Sequence, residues 1–174
     1  MRHLVYVLDA NVFIQAAHQY YAFDLVPSFW EGLVWHADKG RVLSIERVKS
    51  ELKRGKDELW DWARDLFTHA FVSTDEKDVI EVYGDIMEWA RRQFRFTSAA
   101  RSGFADAADA WLVAYAKARQ CVVVTHEKPE PNRKTRVKIP DVCDAFDVPY
   151  TNTFDMLREL GGLGSQAAAT RDGL

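Results

Sequence analysis

Two short stretches are apolar at every position: residues 4–8 (LVYVL) and residues 121–125 (CVVVT, closed by a threonine). A strand with one face in water alternates apolar and polar side chains, whereas a strand covered on both faces does not. Both stretches are therefore read as strands buried on both sides, and helical patterns lie between them. Residues 25–38 carry Leu25, Phe29 and Leu33 at i, i+4 and i+8. Pro27 suits the first turn of that helix, and Gly40 suits the position just past its end. Residues 41–45 (RVLSI) read as another short strand, and residues 45–54 as a helix ended by Gly55. Residues 57–69 place Leu59, Trp62, Ala63, Leu66 and Phe67 on one stripe. Residues 75–93 form the longest expected helix, with Thr74 as its cap. Residues 104–119 read as one helix with Phe104, Ala108, Trp111, Leu112 and Tyr115 on one side. Residues 141–146 and 153–160 are short helices, and residues 128–138 a proline-bearing basic loop or hairpin. Strands separated by helices predict an α/β sandwich with a mainly parallel sheet.

At 174 residues, 48% hydrophobic and 28% charged, the chain suits one globular domain and excludes low-complexity disorder. Residues 1–160 are assigned to that domain, and residues 161–174 (GGLGSQAAATRDGL) to a flexible C-terminal tail. No apolar run reaches the ~18 residues of a membrane helix. The apolar run 4–17 follows Arg2 as a signal peptide would, but Asp9 sits in its middle and no small-residue cleavage site follows. The expectation is a cytoplasmic protein without a membrane partner. The net charge of -3 excludes a globally basic nucleic-acid binder, so a polyanion must be met through a local patch or through metal ions. Cys121 and Cys143 lie outside any CxxC pair, which argues against a zinc ribbon or a thioredoxin motif. Their apolar surroundings favour buried thiols, with a disulfide left open.

A parallel sheet presents ligands beyond the carboxyl ends of its strands. The first strand ends at Asp9 and the later one at Thr125-His126-Glu127, so Asp9 and Glu127 share a crevice if the two strands are neighbours. Asp106 and Asp109, three residues apart in ADAADAW, fall on one face of the expected 104–119 helix. Glu51 lies in VKSEL, just after the RVLSI strand. Each acid has an ordinary alternative: loop punctuation, a helix-start acid favoured by the macrodipole, or a solvated acid between Lys49 and Lys53. Carboxylates that do converge repel one another and need a compensating cation, typically a hard, oxygen-ligated ion such as Mg²⁺ or Mn²⁺. Zinc is disfavoured by the lack of HExxH and CxxC, and a P-loop or dinucleotide site by the lack of their glycine motifs. No GxSxG elbow is present. Of the five histidines only His126 falls near these acids, and it is not read as a ligand.

The order of these segments resembles the PIN-domain nucleases. VYVLDANVFI resembles their opening strand and first acid, VKSEL the segment of the second acid, ADAWLVAYA the helix of the third, and VVVTHE the strand end that usually reads TxD. IPDVCDAF and NTFDML resemble a PIN-like subfamily related to toxin ribonucleases, and the resemblance spans roughly residues 4–160. It implies a three-layer α/β/α Rossmann-like sandwich and Mg²⁺- or Mn²⁺-dependent hydrolysis of phosphodiester bonds, most often in RNA. By the same resemblance Asp9, Glu51 and Asp109 are metal ligands with Asp106 as an assisting neighbour, and Glu127 is a fourth catalytic acid where the family more often has Asp. Asn11 and Thr125 take supporting positions beside the acids. An antitoxin protein is the implied partner besides the RNA substrate.

Lys128, Arg133, Lys134, Arg136 and Lys138 crowd one segment with Glu130 as the only acid, and Lys128, Arg133, Lys134 and Arg136 are the candidate phosphate contacts. Arg91, Arg92, Arg95 and Arg101 form a second group around Phe94 and Phe96; both phenylalanines are read as core residues. The six tryptophans are mostly expected in the core, with Trp60 as a candidate exposed anchor for an antitoxin or for a homodimer. Two other classes compete with a metal-dependent endoribonuclease. One is a PIN-like protein- or RNA-binding module without catalysis. The other is a haloacid-dehalogenase-type phosphatase, disfavoured because Asp9 is followed two residues later by Asn11 rather than Asp.

Overall fold

A computed structural model describes residues 3–163. Its centre is a five-stranded parallel sheet in the order β3-β2-β1-β4-β5. The strands are β1 (Tyr6–Leu8), β2 (Val42–Ile45), β3 (Phe71–Val72), β4 (Val122–Val124) and β5 (Tyr150–Thr151). β1 lies in the middle, with Tyr6 opposite Val42 on one side and Val122 on the other. All three residues of β1 and of β4 are buried, so the uninterrupted apolar runs do mark doubly covered strands. The expected α/β sandwich with a parallel sheet is thus the observed architecture.

Helices flank the sheet: α1 (Ala10–Gln15), α2 (Pro27–Asp38), α3 (Glu46–Gly55), α4 (Glu58–Leu66), α5 (Lys77–Arg91), α6 (Ser98–Asp106), α7 (Ala108–Arg119), α8 (Ile139–Phe146) and α9 (Thr153–Glu159). A π-helical turn, Ala16–Tyr20, prolongs α1. Pro27 opens α2, and Gly40 turns the chain after it with φ of 68°, as their chemistry requires. Asp57 caps α4 by accepting from the Trp60 N–H at 3.1 Å. No described helix is long and apolar enough to cross a membrane.

Several elements depart from the sequence expectation. Residues 104–119 are not one helix: Ala107 is extended (φ -89°, ψ 158°) and separates α6 from α7. Thr74 does not cap α5. It is fully buried and its hydroxyl donates to Glu46 Oε1 at 2.5 Å, which ties the end of β3 to the start of α3. Gly55 is the last residue of α3, and Lys56 takes the left-handed position after it. Phe94 is 84% exposed, whereas Phe96 is buried under the Arg95 guanidinium. Trp30 and Trp62 are core residues, Trp35 is exposed, and Trp60 is half-buried against the core rather than a free anchor. Cys121 and Cys143 are both buried thiols.

The first residues of the segment assigned to the tail are docked. The Gly162 carbonyl lies 2.9 Å from His36 Nε2, and the Leu163 backbone crosses α2 at Gly32. A Cβ on Gly32 would stand 2.3 Å from the Leu163 carbonyl oxygen, so this crossing needs glycine. The remaining tail positions, 164–174, lie outside the described residues.

Candidate active site

The strand order reverses direction between β1 and β4: the chain goes from β1 outward to β2 and β3, then returns to β4 on β1's other side. Such a switch point leaves a crevice at the carboxyl ends of the two strands. Asp9 is the first residue beyond β1. Its N–H donates to the Val124 carbonyl at 3.0 Å and its carbonyl accepts from the Val12 N–H at 3.1 Å, which fixes it between β4 and the first turn of α1. Its side chain is buried, and Oδ2 accepts from the Thr125 hydroxyl at 3.2 Å. The same hydroxyl accepts from the Glu127 N–H at 3.1 Å, so Thr125 ties two acids to the end of β4.

Burial drives the Asp9 carboxyl well above the usual range. The Asp109 and Glu127 charges raise it further, the Thr125 hydroxyl pulls it back, and Glu51 adds repulsion. Every charged group acting on this buried acid is therefore another acid. Asp109 sits in the first turn of α7. Burial raises it to about 7, with Glu127 and Glu51 raising and Arg136 lowering it. Glu51, on α3, is raised by burial; its carboxylate accepts from the Ala108 backbone N–H, which lowers it, as does Arg54. That N–H is available because the chain breaks at Ala107, leaving Ala108 as the first residue of α7. The helix break thus supplies the donor that orients Glu51.

Glu127 is anchored differently. Its Oε2 accepts from the Ile139 N–H at 2.7 Å, and its Oε1 pairs with Arg136. The Arg136 guanidinium also lies 3.8 Å from Asp109 Oδ2, so one arginine spans both acids. The four carboxylates Asp9, Glu51, Asp109 and Glu127 are thus electrostatic neighbours. Asp106, on the far side of the Ala107 break, is exposed at the end of α6 and is not among the charges acting on Asp9 or Asp109. Asn11 is half-buried in the first turn of α1, and the hydrogen bond on Asp9 comes from Thr125. Sequence reasoning missed the Ala108 N–H and the double role of Arg136; in ADAADAW the cap position of α7 falls on Ala107, which has no capping side chain, and no glycine or proline marks the break.

Among the described residues, no three His, Cys, Asp or Glu side chains are placed together so as to hold a metal ion. The donors nevertheless suit a hard divalent cation in kind: carboxylate oxygens, one of them buried with only like charges acting on it.

The basic segment 128–138 is a loop without strand pairing. Lys138 is buried and donates to the Lys128 carbonyl and to Glu130, so it serves the loop's own structure. Arg133 pairs with Glu130, and these two cations hold the Glu130 carboxyl down at about 2. Arg95 donates to the Pro131 carbonyl and to Asp141, and the Thr97 N–H donates to the Lys134 carbonyl. The two basic groups of the sequence therefore meet on one face. Lys128 and Lys134 are exposed and make no ion pair among the described residues.

The five-stranded parallel sheet flanked by helices matches a PIN-like, Rossmann-type fold. Residues 6–162 match the family model described as a domain of unknown function (DUF4411), and the chain belongs to that family. No curated protein matches the chain. Among solved structures it is similar to VapBC2 from Rickettsia felis, crystallised bound to a DNA fragment from their promoter. That similarity has a TM-score of 0.52 at 16% identity and covers 86% of this chain and 98% of the other.

Proposed function

We propose that the protein is a Mg²⁺- or Mn²⁺-dependent endoribonuclease, the toxin of a toxin–antitoxin pair. The observation that carries this reading is the buried Asp9, pressed by Asp109, Glu127 and Glu51 and faced by no cation of its own. Keeping such a group ionised is costly, so it either holds a proton or gains a positive ion that completes the site. In this reading Asp9, Glu51 and Asp109 hold the ion, and Asp106 is not needed. Held by these acids, such an ion would supply a water of lowered pKa and positive charge opposite the leaving oxygen. The chain's own groups do the positioning. Thr125 fixes the Asp9 carboxylate, the Ala108 N–H fixes Glu51, and the Ile139 N–H fixes Glu127. Arg136, held between Glu127 and Asp109, is the cation nearest to an entering phosphate. Lys128 and Lys134 extend the positive surface along the loop, with Arg133 behind them.

The domain of this activity is residues 1–160, acting in the cytoplasm on RNA, with an antitoxin as protein partner and a homodimer as the assembly. A second reading, a PIN-like binding module without catalysis, is favoured by one observation: Arg136 already neutralises part of the acid cluster. Calorimetric titration with Mn²⁺, paired with RNA cleavage by wild type, Asp9→Asn and Asp109→Asn, separates them. The nuclease binds the ion and cleaves, and both variants lose cleavage while staying folded. Full activity in both variants overturns the metal-site reading.

A further inference from the structure

The carboxyl ends of β4 and β5 open into a cleft of about 580 Å³ that shares Thr125 and Glu127 with the acid cluster. That volume lies within the roughly 300–1,000 Å³ range of small-ligand sites. Four rings line it, Tyr20, His126, Tyr150 and Phe154, and all but Tyr150 pack against one another. Tyr20 is 50% and Phe154 41% exposed, although large aromatics ordinarily bury. Their centroids lie 6.0 Å apart at 79°, and the His126 ring stands 6.1 Å from Tyr20 and 6.3 Å from Phe154. The His126 ring is fixed by a 3.0 Å hydrogen bond between Nε2 and the Thr153 hydroxyl. Tyr20 is delivered by the π-helical turn after α1, closed by the Tyr21 N–H to the Ala16 carbonyl at 2.8 Å. Such turns cost helix regularity and are frequent at functional sites.

The polar groups at the rim differ in what they can still bind. Asn152 is committed to Asp155 through both amide atoms. The Gln15 amide makes no side-chain hydrogen bond among the described residues, and the Lys128 ammonium no ion pair. A flat heteroaromatic ring with hydrogen-bonding edges, followed by a phosphate, uses all of these: ring faces for the base, an amide for its edge, an ammonium for the backbone. A base inside a duplex is stacked on both faces and cannot enter.

We propose that this cleft is a nucleobase subsite, taking one unpaired base of single-stranded RNA against Tyr20 and Phe154, next to the phosphate held at the acid cluster. The position next to a cleaved phosphate rests on the ribonuclease reading; the capture of the base does not. Binding is measured by fluorescence anisotropy of a short labelled single-stranded RNA in EDTA, where metal-dependent cleavage cannot compete. Tyr20→Leu and Phe154→Leu keep apolar bulk and lose the ring; each weakens binding about tenfold, and Tyr20→Phe restores it. An RNA with one abasic position, stepped along the strand, loses a similar factor with the wild-type protein at one register. This second arm needs no variant to fold. A single-stranded DNA of the same sequence with the same ring dependence supports a base contact that ignores the 2′-hydroxyl. Ring-dependent binding without Mn²⁺-dependent cleavage supports the subsite and overturns only the ribonuclease reading. Wild-type affinity in both leucine variants, or indifference to every abasic position, overturns the subsite and reassigns the rings to a protein contact.

Discussion

Asp9 and Asp109 set the chemistry because the fold forces them into a place where ionisation is costly. An ordinary aspartate in an unfolded chain titrates at about 3.9. Asp109 in the folded protein is raised to about 7, first by burial and then by Glu127. Between those two values the folded state holds the extra proton, so stability falls as pH rises through that window. Asp9, raised for the same reasons, acts in the same direction. In EDTA, the urea midpoint of the wild-type protein is therefore expected to drop between about pH 4 and pH 7. Asp109→Asn removes the ionisation and flattens that decline, gaining about 1 kcal/mol or more at the alkaline end. A wild-type midpoint that holds level across this range would contradict the electrostatic picture of the site. His36 is a quieter case: its Nε2 meets the Gly162 carbonyl, which makes it the donor, while Nδ1 is buried without a partner among the described residues.

At the scale of elements, what the sequence made legible follows from periodicity and what it hid follows from contacts. The runs LVYVL and CVVVT announced β1 and β4, and Phe29 and Leu33 announced α2, although Leu25, read as part of the same stripe, falls before the helix and is exposed. The two-residue strands β3 and β5 left no such trace, since pairing with Ser44 and Val123 defines them rather than any pattern of their own. The Ala107 break was equally silent: alanine favours helix, and the extended residue is imposed by packing. Gly55 drew the eye as a helix terminator, yet its role is close approach. A Cβ there would lie 3.2 Å from Asp57 Oδ2, the carboxylate that caps α4. The left-handed residue is Lys56, with φ of 50°. Lys56→Gly relieves that conformation and is expected to raise stability by about 0.5–1 kcal/mol, the αL penalty less the extra freedom of glycine in the unfolded chain. A parallel shift in the chemical-denaturation midpoint, with unchanged slope, is the check. Gly32→Ala acts oppositely. Its methyl meets the Leu163 carbonyl, so residues 161–163 must move off α2, at a cost of about 1–3 kcal/mol. Faster proteolysis at the C-terminal end would accompany the loss, and an unchanged midpoint would show that this crossing yields freely.

Over the whole molecule, charge is sorted rather than accumulated. A net charge of -3 says nothing of nucleic acid, yet the acids at the switch point are buried or half-buried, while Lys128, Arg133, Lys134 and Arg136 of the adjoining loop are exposed. The candidate acids were legible because strand ends are where a parallel sheet puts them; that Asp106 stands apart was not, because only the break at Ala107 separates it from Asp109. A cation that completes the site binds the folded chain alone, so Mn²⁺ in excess is expected to raise the melting temperature, and Asp9→Asn to abolish the rise. An equal rise in both proteins would place the ion elsewhere. The surface cations make a finer prediction, because their number does not equal their use. Arg133 is already spent on Glu130, and Lys138 on Glu130 and the Lys128 carbonyl, whereas Lys128 and Lys134 are exposed without ion pairs among the described residues. A phosphate contact releases counterions in proportion to the charges it neutralises. Lys134→Glu or Lys128→Glu should therefore lower the slope of log affinity against log salt for single-stranded RNA by about 0.7, the share of one phosphate contact on a single strand. Arg133→Gln should change it much less, since its charge is largely answered inside the protein. Equal slopes for the lysine variants and the wild type would move the path of the strand off this loop altogether.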